Sequence, residues 1–270
     1  MKEDPEVVLL VAILAVFAAG LASIRPDGDL IERAIEGARD RERAREAWLE
    51  AHPVFRDLLL GLPLDDSTVN IVDPGYEPLE IREAKNISYV TAGRFGGAAR
   101  FRPPSHLRTR PAASPPAGTW AAWVRIAPGA GSAEMRILDA NVYRLAIREG
   151  VLSALLYDGS TRTVRTPAPR QGEWFHVAMT WGPGGQLRLY LDGQREGEAR
   201  YTGPPDTGRR PITVGAAHDG RHGFEGEIDE LSIHARELEP WEIGLLMDVG
   251  LLALESHETV PPRRAGGALP

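Results

Sequence analysis

Apolar residues fall along this chain in two different rhythms. From Val7 to Ile24 the sequence VVLLVAILAVFAAGLASI is unbroken by charge and has no polar face. That length just spans a hydrocarbon core of roughly 30 Å, so the run predicts one transmembrane helix over 7–24, with Val7, Leu10, Leu14, Phe17 and Leu21 facing lipid. A cleaved signal peptide is the competing reading, with Ala18, Gly20 and Ala22 as small residues for a cleavage site. The acidic start MKEDPE speaks against it, since a signal peptide begins positively charged.

Over 29–50, Leu30, Ile31, Ala34, Ile35 and Ala38 recur at helical spacing. Asp29 and Glu32 resemble a capping box. The remainder, RDRERAREAWLE, predicts a charged amphipathic helix laced with i,i+4 ion pairs. Trp48 and the run Leu58, Leu59, Leu60 are candidate docking residues for a protein partner, because a plain tether would not need them. Pro53 and Pro63 interrupt the pattern.

Past residue 66 the helical period gives way to short runs separated by Gly, Pro, Asp and Asn. Candidate strands are 119–126, 134–138, 143–148, 152–157, 174–181, 186–191, 212–215 and 228–234. In WFHVAMTW, Phe175, Val177, Met179 and Trp181 point one way, while Trp174, His176, Ala178 and Thr180 point the other. Leu187, Leu189 and Leu191 share a face in the next run. Asp192-Gly193 then predicts a tight hairpin, because a type I′ turn needs positive φ. The expected fold is mainly β, a two-sheet antiparallel sandwich or jelly roll. Trp123, Trp174, Phe175 and Trp181 are its expected inter-sheet core.

The expected organisation is a membrane segment at 1–28, a helical linker at 29–65, the sandwich at 66–248 and a helix end with a flexible tail at 249–270. Pro240 suits the first turn of a last helix, and Glu239 complements its dipole.

Composition narrows the function. The 270 residues carry a net charge of −7, which argues against nucleic-acid binding. There is no cysteine, so disulfides, thiolate metal sites and cysteine nucleophiles are out. No phosphate-binding loop or nucleophile elbow occurs. His218 and His222 sit in a Gly-rich loop, where a spacing of four does not make a zinc site. Six arginines between 25 and 45 place the C-terminal mass in the cytoplasm by the positive-inside rule.

The segment GEWFHVAMTWGPGGQLRLYLDGQ (172–194) resembles the laminin-G-like, concanavalin A-like jelly roll, which has a W-x-H-V-A strand followed by an L-Y-x-D-G hairpin. GRFGGAARF (93–101), WAAWVRI (120–126), ITVGA (212–216) and FEGEIDELSIHARELEPWEIGLL (224–246) are similar to other strands and the closing helix of that family, in the same order. The resemblance implies a sandwich that works outside the cytoplasm, against the arginine distribution; the apolar segment 7–24 and the absence of cysteine add the expectation of a single-pass membrane protein of bacterial type.

The same fold hosts glycan hydrolases. Glu227-Ile228-Asp229-Glu230-Leu231 superficially matches the E-I-D-x-E strand of retaining glucanases, which need two carboxyl groups about 5–5.5 Å apart. Counting by twos, Leu231 falls where the acid partner belongs, and position 232 is Ser. No catalytic residue is therefore assigned. In the resembling family the Asp of this strand closes the sandwich through local hydrogen bonds and in some members supports calcium. Asp139, Asp158, Asp219 and Asp229 are the candidate calcium ligands. The expected function is a membrane-anchored, non-catalytic module that binds a protein or glycan, as an accessory subunit of a larger membrane complex. A calcium-dependent lectin and an atypical glycoside hydrolase are the alternatives.

Overall fold

The computed structural model describes residues 50, 53–66, 68, 79–131, 133–203 and 208–251. The apolar segment 7–24, residues 29–49 of the expected charged helix with Trp48, and the tail beyond 251 lie outside the described residues. Among the described residues no helix is long and apolar enough to cross a membrane. The chain divides into two units, and the second begins at Val54.

After a 3-10 turn at Pro53–Phe55 the strands run β1 (Leu58–Leu62), β2 (Ile81–Lys85), β3 (Ser88–Val90), β4 (Ala98–Phe101), β5 (His106–Thr109) and β6 (Ala112–Ala113). Then come β7 (Gly118–Ile126), β8 (Met135–Asp139), β9 (Tyr143–Arg148), β10 (Val151–Tyr157), β11 (Thr161–Pro167) and β12 (Trp174–Trp181). The series ends with β13 (Gln186–Leu191), β14 (Gln194–Arg200), β15 (Arg209–Arg210), β16 (Thr213–Val214), β17 (Gly226–His234) and helix α1 (Pro240–Asp248).

Every described pairing is antiparallel. One sheet has the order β14-β13-β12-β7-β17-β4-β3, with β1 on the far half of β17. The facing sheet is β11-β10-β9-β8-β16-β5-β2. Period-two alternation fills the space between them with Phe101, Trp120, Val124, Phe175, Met179 and Ile228 from the first sheet and Leu138, Leu145, Leu152 and Leu156 from the second. Trp120 meets Trp181 edge-on at 5.9 Å, and Tyr143 stacks on Trp181 at 4.3 Å.

Three expectations need correction. The sandwich starts before residue 66: Leu58–Leu62, assigned to the helical linker, is strand β1, hydrogen-bonded along β17. Leu58 and Leu60 are fully buried and Leu59 packs against the core, so none of the three is exposed for docking. The run lacks visible alternation because both faces of β1 are covered. Finally, Trp123 and Trp174 lie on the outer face of the first sheet, because Val124 and Phe175 take the inner positions; Trp120 supplies the core ring instead.

Two local expectations hold. The hairpin β13–β14 turns at Asp192 (φ 48°) and Gly193 (φ 74°), both in the left-handed region that the turn demands. Gly193→Ala is expected to cost about 1 kcal/mol, seen as a lower urea midpoint, since a Cβ is disfavoured at that φ. Helix α1 opens with Pro240 in its first turn and a capping box between Glu239 and Glu242. Its buried Ile243 and Leu246 face inward, and the helix packs near β7, covering part of the first sheet's outer face.

Candidate functional site

The open part of that outer face is set by strand register. Ser88 on β3 lies opposite Arg100 on β4, Arg100 opposite Glu227 on β17, Glu227 opposite Arg125 on β7, and Arg125 opposite Trp174 on β12. Directly opposed residues point to the same face. The five therefore form one transverse row, about 19 Å long at the usual spacing between strands. Each is outward because its neighbour, such as Phe101, Val124, Phe175 or Ile228, is in the core.

Glu227 is the only carboxylate in this row. Its two oxygens accept from Arg100 Nε at 3.0 Å and Arg125 Nε at 3.1 Å. Arg125 also lies over the Trp174 ring at 4.8 Å. A second row, Asp229, Trp123 and His176, runs beside the first. Arg94, exposed, covers it: its guanidinium sits 4.4 Å from the Trp123 ring centre and 5.1 Å from that of Phe95. Among the described residues the Arg94 side chain makes no ion pair. His176 meets Trp123 edge-on at 5.6 Å, and burial pushes its pKa down to about 3, so it is neutral here.

Asp229 is a clasp. Its Oδ2 accepts from the backbone N–H of Arg94 at 2.7 Å and of Phe95 at 3.1 Å, and its Oδ1 accepts from Glu230 N–H at 2.9 Å. Gly93 lets the loop close, since a Cβ there would fall on the carbonyl of Gly97. Glu230, at φ 51°, turns the other way and accepts from Leu251 N–H. Burial raises Asp229 to about 7, outweighing its three N–H donors. Burial, with the nearby charges of Asp229 and Asp65, raises Glu230 to about 8.

The bulge at Glu230 also changes the face count. Pairing with β7 slips between Asp229 and Ser232, so Leu231 enters the core and Ser232 takes the outer position. Counting by twos had put Leu231 outside. On either count no acid follows Asp229 on this face. A glycosidase needs one carboxyl group free to give a proton and another to attack. Here Glu227 is held by two arginines and Asp229 by three backbone amides.

The four candidate calcium ligands are not gathered. Asp139 is fully buried, pairs with Arg136 Nη1 at 3.1 Å and accepts from His218 N–H at 2.9 Å. Asp158 accepts from Ser160 and Thr202 N–H groups. Asp219 pairs with Arg221, and Asp229 is spent on its clasp. Among the described residues no three acids or histidines converge as a metal site. Calcium needs six to eight oxygens from a converging set, and these residues do not fit it.

The arginine row was not anticipated. Its local signal was present, since Arg100 and Arg125 alternate with the core residues Phe101 and Val124. Only the register aligns them.

A family model described as the concanavalin A-like lectin/glucanases superfamily matches residues 101–244. No curated protein matches the sequence. Among solved structures, the binding domain of botulinum neurotoxin serotype D superposes with a TM-score of 0.59 at 15% identity, covering 73% of this chain and 52% of that one. The binding domain of botulinum neurotoxin DC in complex with rat synaptotagmin II gives 0.58 at 15%, covering 72% and 52%. The receptor binding domain of the C/D mosaic serotype gives 0.57 at 15%, covering 72% and 51%. The chain spans about half the length of these toxin fragments, and the likeness shows the fold.

Proposed function

Because the chain belongs to the concanavalin A-like lectin/glucanases superfamily, whose fold serves both recognition and hydrolysis, we propose that it acts as a non-catalytic binding module, docking a partner on the outer face of the β3-to-β14 sheet. The observation that carries this is the row Arg100–Glu227–Arg125–Trp174 with Arg94 beside it. The Arg100 and Arg125 guanidinium groups share the Glu227 carboxylate, and Arg125 and Arg94 rest on aromatic rings. Such groups are held in place before a partner arrives, so less side-chain freedom is lost on binding. The neurotoxin fragments of similar fold are binding domains, and one was solved in complex with rat synaptotagmin II.

In this reading the apolar segment 7–24 anchors the module to the lipid bilayer, with the sandwich outside the cytoplasm. The partner is then a protein of the same membrane, with a glycan as the other class. Deleting residues 1–28 is expected to move the chain from the detergent-rich to the aqueous phase on phase separation; an unchanged partition contradicts the anchor.

The binding face is tested by Arg94→Glu. Co-purification in mild detergent is expected to lose its stoichiometric partner, while the unfolding free energy changes by less than about 1 kcal/mol, the scale of an exposed cation–π contact. Retention of the partner by the folded variant would remove this face from the account. Sugar release by the wild type that disappears in Glu227→Gln would restore the hydrolase alternative.

A further inference from the structure

The geometry points to the chemical class of the ligand: we infer that the row receives a run of carboxylates, an acidic segment of a protein partner laid across the strands. This rests on the binding-face reading above. Arg100 and Arg125 both reach Glu227 through Nε. No terminal nitrogen of either bonds Glu227, and Arg125 spends one of its own on the carbonyl of Ala92 at 3.4 Å. Arg94 keeps its whole donor edge. Arg94, Arg100 and Arg125 thus present N–H donors that exceed the Glu227 carboxylate by two charges, and a carboxylate is the acceptor-only group whose shape matches a guanidinium fork.

A neutral glycan fits poorly. Pyranose rings stack on open aromatic faces, but Trp123 and Trp174 are capped by Arg94 and Arg125. Sugar hydroxyls also need acceptors, and the row's one carboxylate already accepts from two arginines. The same shortage of acceptors weighs against a sulfated glycan, whose remaining hydroxyls would go unpaired. Arg100 and Arg125 flank β17 on either side, so they stand about 10 Å apart, two strand spacings. An extended peptide covers that distance in three residues. The ligand must cross the strands, since the row runs across them on the sheet face and not along the sheet edge where strand addition occurs.

The test is fluorescence anisotropy of a labelled octaglutamate peptide with the full chain in mild detergent, and of a sulfated oligosaccharide of equal charge. Arg94→Gln and Arg100→Gln are each expected to weaken peptide binding about tenfold, the loss of one charge-assisted hydrogen bond. Arg165→Gln, on an exposed position of the other sheet, should leave it unchanged. Glu227→Gln should tighten binding several-fold, because it removes the competing carboxylate and frees two guanidinium groups. Equal losses from Arg94→Gln and Arg165→Gln, or weaker binding by a Glu227→Gln protein of unchanged melting temperature, would overturn the inference. Arg94-dependent binding of the oligosaccharide without the peptide would overturn the ligand class and leave the binding face standing. Absence of Arg94-dependent binding by either probe would overturn both.

Discussion

Leu60→Ala is expected to lower the unfolding free energy by about 2–5 kcal/mol, the range for emptying a leucine site in a packed core. Leu60 is fully buried, sits opposite Ile233 across the β1–β17 pairing and belongs to the inter-sheet core. Chemical denaturation followed by tryptophan fluorescence measures the change, since Trp120 and Trp181 lie in the same core. A surface leucine reserved for a partner would lose less than about 0.5 kcal/mol, so the experiment separates the strand from the docking run that the bare sequence suggests.

That contrast shows what the sequence made legible. Strands whose large apolar residues alternate with smaller or more polar ones announced themselves, even where both faces are buried as in β12: β9, β12 and β13 match their expected bounds. The Asp192-Gly193 turn and the Pro240 helix start were legible because their chemistry is local. β1 was not, since LLLGL is buried on both faces and shows no alternation. The edge strands β11 and β14, TRTVRTP and QREGEAR, were hidden for the opposite reason, being polar on most positions. The bulge at Glu230 reverses the face count in the strand where a catalytic pair was sought. Asp229's clasp followed from the family resemblance, but its three donors come from residues 94, 95 and 230, and only folding brings the first two near. The arginine row depends on register across five strands, which no single segment encodes.

The second large effect is a fall in stability of about 2 kcal/mol between pH 6.5 and 8, most of which Glu230→Gln removes. Glu230 has a folded value near 8, raised from 4.5, and Asp229 one near 7, raised from 3.8. Both acids bind protons more tightly in the folded chain, so their stabilisation is complete below the unfolded values and is lost as pH rises through the folded ones. His176 and His234 act oppositely. Their folded values fall to about 3 through burial, so they add stability with rising pH until about 6.5, their unfolded value. Above that point the histidine gain fades to less than about 1 kcal/mol in all and the acids dominate: the 1.5 units left to Glu230 correspond to about 2 kcal/mol, with a smaller loss from Asp229. Glutamine keeps an acceptor for the Leu251 N–H without the charge. Thermal unfolding at half-unit pH steps reads the effect, and stability that climbs from pH 6.5 to 8 would contradict it.

The surface that meets the partner is the central question for this protein. A photo-crosslinking amino acid at Ser88, exposed at one end of the arginine row, tests this directly when compared with the same probe at Arg165 on the opposite sheet. Irradiating the full chain in its native cells should give one adduct of defined mass from position 88 and none from position 165. An adduct from 165 alone would move the interface to the other sheet and contradict the binding face described above.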